Sequence, residues 1–182
     1  MKQFKKIMVG IVALAVVLSL SITAKAQSGY QPGQVSLNAG MSYGLDLEKA
    51  GLRLGVSYFM TEKIRLGADF TYWLIEDSNF EFFDVPVSTE STAYEININL
   101  HYLFYEQNGL VLYGAGALGY HHAKASISSG SVSDSVSDGE IGIGIGGGVE
   151  YNMGKMAVFA EPKVFFSGFD QVKLNFGLRF NL

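Results

Sequence analysis

QVKLNFGLRFNL, residues 171 to 182, alternates without a break. Val172, Leu174, Phe176, Leu178, Phe180 and Leu182 fall on one face, and Lys173, Asn175, Gly177, Arg179 and Asn181 on the other. A period of two marks a β-strand, because successive side chains leave the backbone on opposite sides. One face asks for an apolar medium, and the other has to accommodate two cations.

Toward the N-terminus seven more segments repeat the pattern, at about 34–45, 52–58, 64–74, 94–105, 110–121, 140–151 and 156–166. In the third, Ile64, Leu66, Ala68, Phe70, Tyr72 and Leu74 oppose Arg65, Gly67, Asp69, Thr71 and Trp73; in the fourth, Tyr94, Ile96, Ile98, Leu100, Tyr102 and Phe104 oppose Glu95, Asn97, Asn99, His101 and Tyr105. The fifth, LVLYGAGALGYH, is apolar or glycine on both parities, so its facing stays open. Pro162 in the seventh cannot donate to a ladder, which predicts a bulge or a wide spot.

Connections alternate in kind. Residues 60–63, 106–109 and 152–155 are tight, with Asn-Gly or Gly chemistry suited to hairpins. At the opposite end, 76–91 and 122–138 read as long loops, and 46–51 and 167–170 as short ones. Eight strands with tight turns at one end and the long connections at the other predict an all-β, transmembrane, eight-stranded antiparallel up-and-down β-barrel.

Residues 1–26 stand apart. Lys2, Lys5 and Lys6 precede an apolar run from Ile7 to Leu20, followed by Ala24-Lys25-Ala26. That is the layout of a secretory signal cleaved after Ala26, and the run is too short for a membrane-spanning helix. Residues 27–182 form one domain, with nine Lys and Arg against seventeen Asp and Glu, a net charge of −8. Nucleic-acid binding is disfavoured. There is no cysteine, hence no disulfide, thiolate metal site or acylated anchor.

Alternation fits a soluble barrel with its apolar face inward as well as a membrane barrel with that face outward. Three features favour the membrane. Glycines crowd the polar faces, as a cramped interior requires; Trp73, Tyr72, Tyr94, Tyr43, Tyr58, Tyr102 and Phe104 lie toward strand ends, where interfacial girdles form; and the loops are asymmetric. Charge is the stronger argument. Arg53, Arg65, Lys163, Lys173 and Arg179 face Asp69, Glu95, Glu140, Glu150 and Glu161, five of each sign. A solvent face has no reason to balance, whereas an interior does, since an unpaired buried charge costs several kcal/mol. Eight strands leave a bore that side chains can fill, so these ten residues are expected to form an ion-pair plug, with Arg53–Asp69 and Glu161–Arg179 as the first pairs.

Other motifs carry less. Gly142, Gly144 and Gly147 spell G-x-G-x-x-G, but no helix follows to receive a phosphate. His121 and His122 stand near a serine-rich stretch and Glu140, the residue types of a hydrolase trio, though no local pattern marks a nucleophile. Glu76, Asp77, Glu81, Asp84 and Glu90 interleave with Phe80, Phe82 and Phe83, a mix suited to divalent cations or a protein contact at the surface. No catalytic residue, cofactor or metal site is expected.

The AKAQ processing site, LYGAGALGY, the EIGIGIGGGVEY to MAVFAEPKVFF hairpin and the terminal VKLNFGLRFNL resemble the small eight-stranded outer-membrane barrels of the outer-membrane protein A and X type, over residues 33–182. The resemblance implies residence in the cell outer membrane, with outer-membrane lipid and lipopolysaccharide around a monomer. It also implies a final strand read by the barrel-assembly machinery, and a surface partner met through 76–91 and 122–138. The family usually ends in an aromatic residue; this chain ends in Leu182, with Phe180 two earlier. The implied role is structural or adhesive. A lipid-A-modifying hydrolase and a narrow small-solute channel are the alternatives.

Overall fold

The computed structural model describes residues 29–82, 85–129, 132–166 and 170–182. The signal segment and its cleavage site lie outside them, as do Phe83, Asp84 and the link 167–169. Among the described residues there are nine strands: β1 (Val35–Gly44), β2 (Lys49–Phe59), β3 (Ile64–Trp73), β4 (Ser78–Phe82), β5 (Val85–Gln107), β6 (Leu110–Ser129), β7 (Val132–Asn152), β8 (Met156–Phe166) and β9 (Gln171–Asn181). Each pairs antiparallel with its sequence neighbour, except that β3 pairs with β5, and β9 pairs back onto β1 from Ser36–Asn181 to Gly44–Lys173. Those two pairings close an eight-stranded barrel, with β4 outside it as an annex to β5.

Polarity is turned as the charge balance predicts. Leu37, Leu54, Ile98, Leu118 and Ile143 are about half exposed on the outside, while Arg53, Asp69, Glu95, Lys163 and Lys173 are buried. Along β5 the apolar face runs from Tyr102 to Tyr94, eight steps or roughly 27 Å of strand. At a tilt of ~40° that covers about 20 Å of the barrel axis, close to the ~25 Å apolar band of membrane barrels.

The ends follow local chemistry. Asn108 and Gly109 both take positive φ, 52° and 82°, forming the two-residue turn that matches strand twist between β5 and β6. Gly154, at φ 93°, receives the Asn152 side chain on its N–H.

The structure changes some expectations and decides others. The long connections are not loops: β5, β6 and β7 run on past the barrel as ladders reaching Val87–Ser129 and Ser129–Val132, with β4 along β5. At Pro162 the structure has the wide spot and not the bulge: the β7–β8 ladder holds at Gly146–Lys163 and Val149–Ala160 and skips what lies between, in unchanged register. The bulge falls in β5, between Leu103 and Tyr105, which turns Tyr105 outward. Trp73 joins no girdle, being buried inside the barrel. The fifth predicted strand, β6, resolves its facing, with Val111, Tyr113, Ala115, Ala117 and His121 inward.

Candidate functional site

Alternation sends one residue in two from every strand into the bore, and these stack in three tiers. In the tier nearest the long hairpins, Glu95 receives Trp73 Nε1 at 3.0 Å, lies 3.2 Å from His121 Nδ1 and is ion-paired with Lys173. Lys173 Nζ also sits 4.5 Å from the Phe165 ring centre. Gly144 on the adjoining strand makes room for that ring, since a Cβ there would come within 2.8 Å of it.

In the middle tier Arg53 donates to Asp69 at 2.8 Å, while Asn97 and Asn99 donate to the same carboxylate at 3.0 and 2.5 Å. Glu161 lies 2.9 Å from Lys163 Nζ, 3.0 Å from His101 Nε2 and 3.9 Å from Arg53, and Tyr113 donates to it at 3.1 Å. His101 Nδ1 accepts from Arg65 Nε at 3.1 Å, which places the imidazole proton on Nε2, toward Glu161. In the lowest tier Glu150 serves Arg65 at 3.0 Å, Arg179 and the Tyr30 hydroxyl, and Arg179 also donates to Asn38 at 2.8 Å.

Nine of the ten residues picked out in the sequence lie buried in the bore. Glu140 does not: it is half-buried at the mouth, lining a cup of about 150 Å³ with Trp73, Ala93 and His121. Five buried cations therefore face four buried carboxylates. Aromatic faces take up the difference, with Arg65 over Phe59 and Tyr113 at 5.3 and 4.9 Å, and Arg53 and Arg179 over Phe159 at 5.5 and 5.0 Å. Arg53 and Asp69 meet, but Glu161 and Arg179 do not pair. Register separates them, because Glu161 stands opposite Asn175 and Arg179 opposite Ala157, four residues away.

One participant escapes strand periodicity. Tyr30, before the first strand, stacks on Phe59 with ring centres 4.2 Å apart and is 2 % exposed, stoppering the tight-turn end. An aromatic residue just ahead of a strand was its one sequence signal. His121 and His122 diverge, His121 to Glu95 inside and His122 against Tyr94 and Tyr120 outside. The carboxylate-paired histidine thus sits on the inner face, while alternation puts Ser126 and Ser128 on the outer one. Among the described residues no group of three or more His, Cys, Asp or Glu is placed to hold a metal ion.

Beyond the mouth the second notable surface begins. The outward residues of β5, β6 and β7 align in cross-strand rows: Ile96, Tyr120 and Ile141, then Tyr94, His122 and Gly139. The next rows are Thr92, Lys124 and Ser137; Glu90, Ser126 and Ser135; and Ser88, Ser128 and Ser133. The opposite face of the same stretch carries Ala93, Ala123, Ala125, Ile127 and Val136 among Ser91, Thr89, Asp134 and Asp138. Polarity therefore inverts across the His122 row.

An apolar exterior around a closed antiparallel barrel with a buried charge network defines a membrane-spanning β-barrel. The chain belongs to the outer membrane protein beta-barrel domain family, whose model matches residues 12–180, and it is accordingly an outer-membrane protein. No curated protein sequence matches it. Among solved structures it is similar to the N-terminal β-barrel domain of Pseudomonas aeruginosa OprF, with 14 % identity and a TM-score of 0.63, over 85 % of this chain and 100 % of that one. It is also similar to Ail, the attachment invasion locus protein of Yersinia pestis, with 19 % identity and a TM-score of 0.62, over 84 % and 100 %. At these identities the likeness speaks for the fold.

Proposed function

We propose that this protein is a plugged anchor that holds a β-sheet above the outer membrane, with a structural or adhesive role at the cell surface. The observation that carries this reading is the division of the chain. Its bore is occupied from Trp73 to Tyr30 by bonded side chains, while β5, β6 and β7 continue beyond the barrel. A filled bore does not suit passage of solutes, and the carboxylate-paired His121 has Ser126 and Ser128 on the opposite face of its strand, so the non-catalytic reading stands ahead of channel and hydrolase. Attachment, the role in the name of Ail, is the first to test here.

In this reading the long hairpins face outward and the chain ends face the periplasm. The barrel is a monomer surrounded by membrane lipid and lipopolysaccharide, β9 is the segment the assembly machinery reads, and the projecting hairpins meet the surface partner. Planar-bilayer recording tests the plug: no steady current is expected, and a steady current from the intact protein overturns it. Adhesion of cells carrying the whole chain, compared with cells whose barrel has lost residues 123–138, tests the sheet; equal adhesion removes the adhesive role.

A further inference from the structure

We propose that the outer face of the projecting sheet docks against the neutral sugars of glycolipids in the surrounding outer leaflet. This rests on the reading that the long hairpins face outward. The face is continuous with the lipid-facing belt. It changes over the single row of Tyr94 and His122 from Ile, Leu and Tyr to three rows holding seven hydroxyls, one cation and one anion. Successive rows are two residues apart, so the hydroxylated zone rises by roughly 7 Å per row along the strands.

Bulk water asks nothing of one face over the other, yet the hydroxyls gather on the face that stands over the lipid. Ile127 and Val136, 53 % and 71 % exposed, are on the reverse. Serine is also not among the residues that favour strands. A seryl hydroxyl donates and accepts at once, as a sugar hydroxyl does, and its short side chain loses little freedom when fixed. Phosphate groups would call for clustered cations, whereas here Lys124 stands beside Glu90. Those facts favour neutral sugars seated directly above the aromatic row.

The test titrates the folded full chain in detergent with lipopolysaccharide bearing its core oligosaccharide and with lipid A lacking the core, read by native mass spectrometry. The core-bearing lipid is expected to bind at least about tenfold tighter, the equivalent of one or two net hydrogen bonds. In Ser126→Ala/Ser128→Ala/Ser133→Ala/Ser135→Ala that preference disappears, and in the milder Ser126→Ala/Ser135→Ala it narrows. Thr89→Ala/Ser91→Ala on the reverse face retains it. Equal binding of both lipids by the parent chain overturns the proposal, as does a preference that survives the fourfold change. Free core oligosaccharide binding as tightly as the anchored lipid overturns the membrane-bound source. Heat-modifiable migration of each variant reports the barrel separately. A tag between Ser129 and Val132, stained on intact cells, reports the outward orientation, so failure of the underlying reading is distinguishable.

Discussion

The barrel body and the projecting sheet are built from the same three strands under opposite rules. In the body, β5, β6 and β7 put Ile98, Leu118 and Ile143 outward and Asn97, Ala117 and Gly144 inward; past His122 the outer face is hydroxylated and the reverse holds Ile127 and Val136. Backbone geometry is continuous across the change, so what differs is the medium. Lipid sorts side chains strictly, because a charge on the lipid face costs up to ~2–4 kcal/mol at the midplane. Above the lipid no such penalty acts, and sequence is free to serve contact.

The sharpest way to break this comparison is inside the body. Arg53→Ala strands the Asp69 carboxylate in the bore and is expected to cost about 3–5 kcal/mol in urea unfolding of the detergent-solubilised barrel. Arg53→Ala/Asp69→Ala should recover part of that, the mark of a coupled pair. An Arg53→Ala barrel with undiminished heat resistance would mean that ion pairs do not hold the plug. Next comes the boundary. Ile98→Arg should cost ~2–4 kcal/mol and Ser126→Arg less than about 0.5, two residues on one strand pair's outer face with opposite tolerance; similar losses would erase the distinction. At the tight-turn end, Tyr30→Phe keeps the ring on Phe59 and removes only the bond to Glu150, a loss of about 1 kcal/mol by the same unfolding measurement. The smallest effect belongs to the sheet itself. Joining His122 to Gly139 by Asn-Gly should leave the body within about 1 kcal/mol, since closure entropy changes slowly with loop length.

The comparison also explains how much was legible in the sequence. Alternation revealed all eight barrel strands and the inward parity of Arg65, Glu150 and Lys173, because the membrane enforces the pattern. It missed the continuation of β6 and β7, where AKASISSGSVSDSVSD has the composition of a solvated loop and no lipid imposes a period. Pairing partners need register, and register depends on every turn around the barrel. Arg53 and Asp69, one hairpin apart, were within reach of that reasoning; the shared use of Glu150 by Arg65 and Arg179, drawn from three different strands, was not. Charge balance was read from carboxylates alone, so the rings of Phe59, Tyr113 and Phe159 as partners of guanidinium groups went unseen. The β5 bulge after Leu103 leaves no trace in the residue pattern, because Phe104 and Tyr105 are both aromatic and both end up outside.

The β1–β9 seam bears on how this chain reaches its membrane. Its nine register pairs join residues far apart in the chain, Ser36 with Asn181 at one end, so in hairpin-by-hairpin pairing it forms last. Until it forms, the sheet has two raw edges, and each bare amide or carbonyl in hydrocarbon costs several kcal/mol. A half-zipped sheet therefore has no place to rest within the bilayer. Entry and closure become one event, and a chain with a shortened β9 should pile up on the aqueous side of the membrane without inserting as an open ribbon.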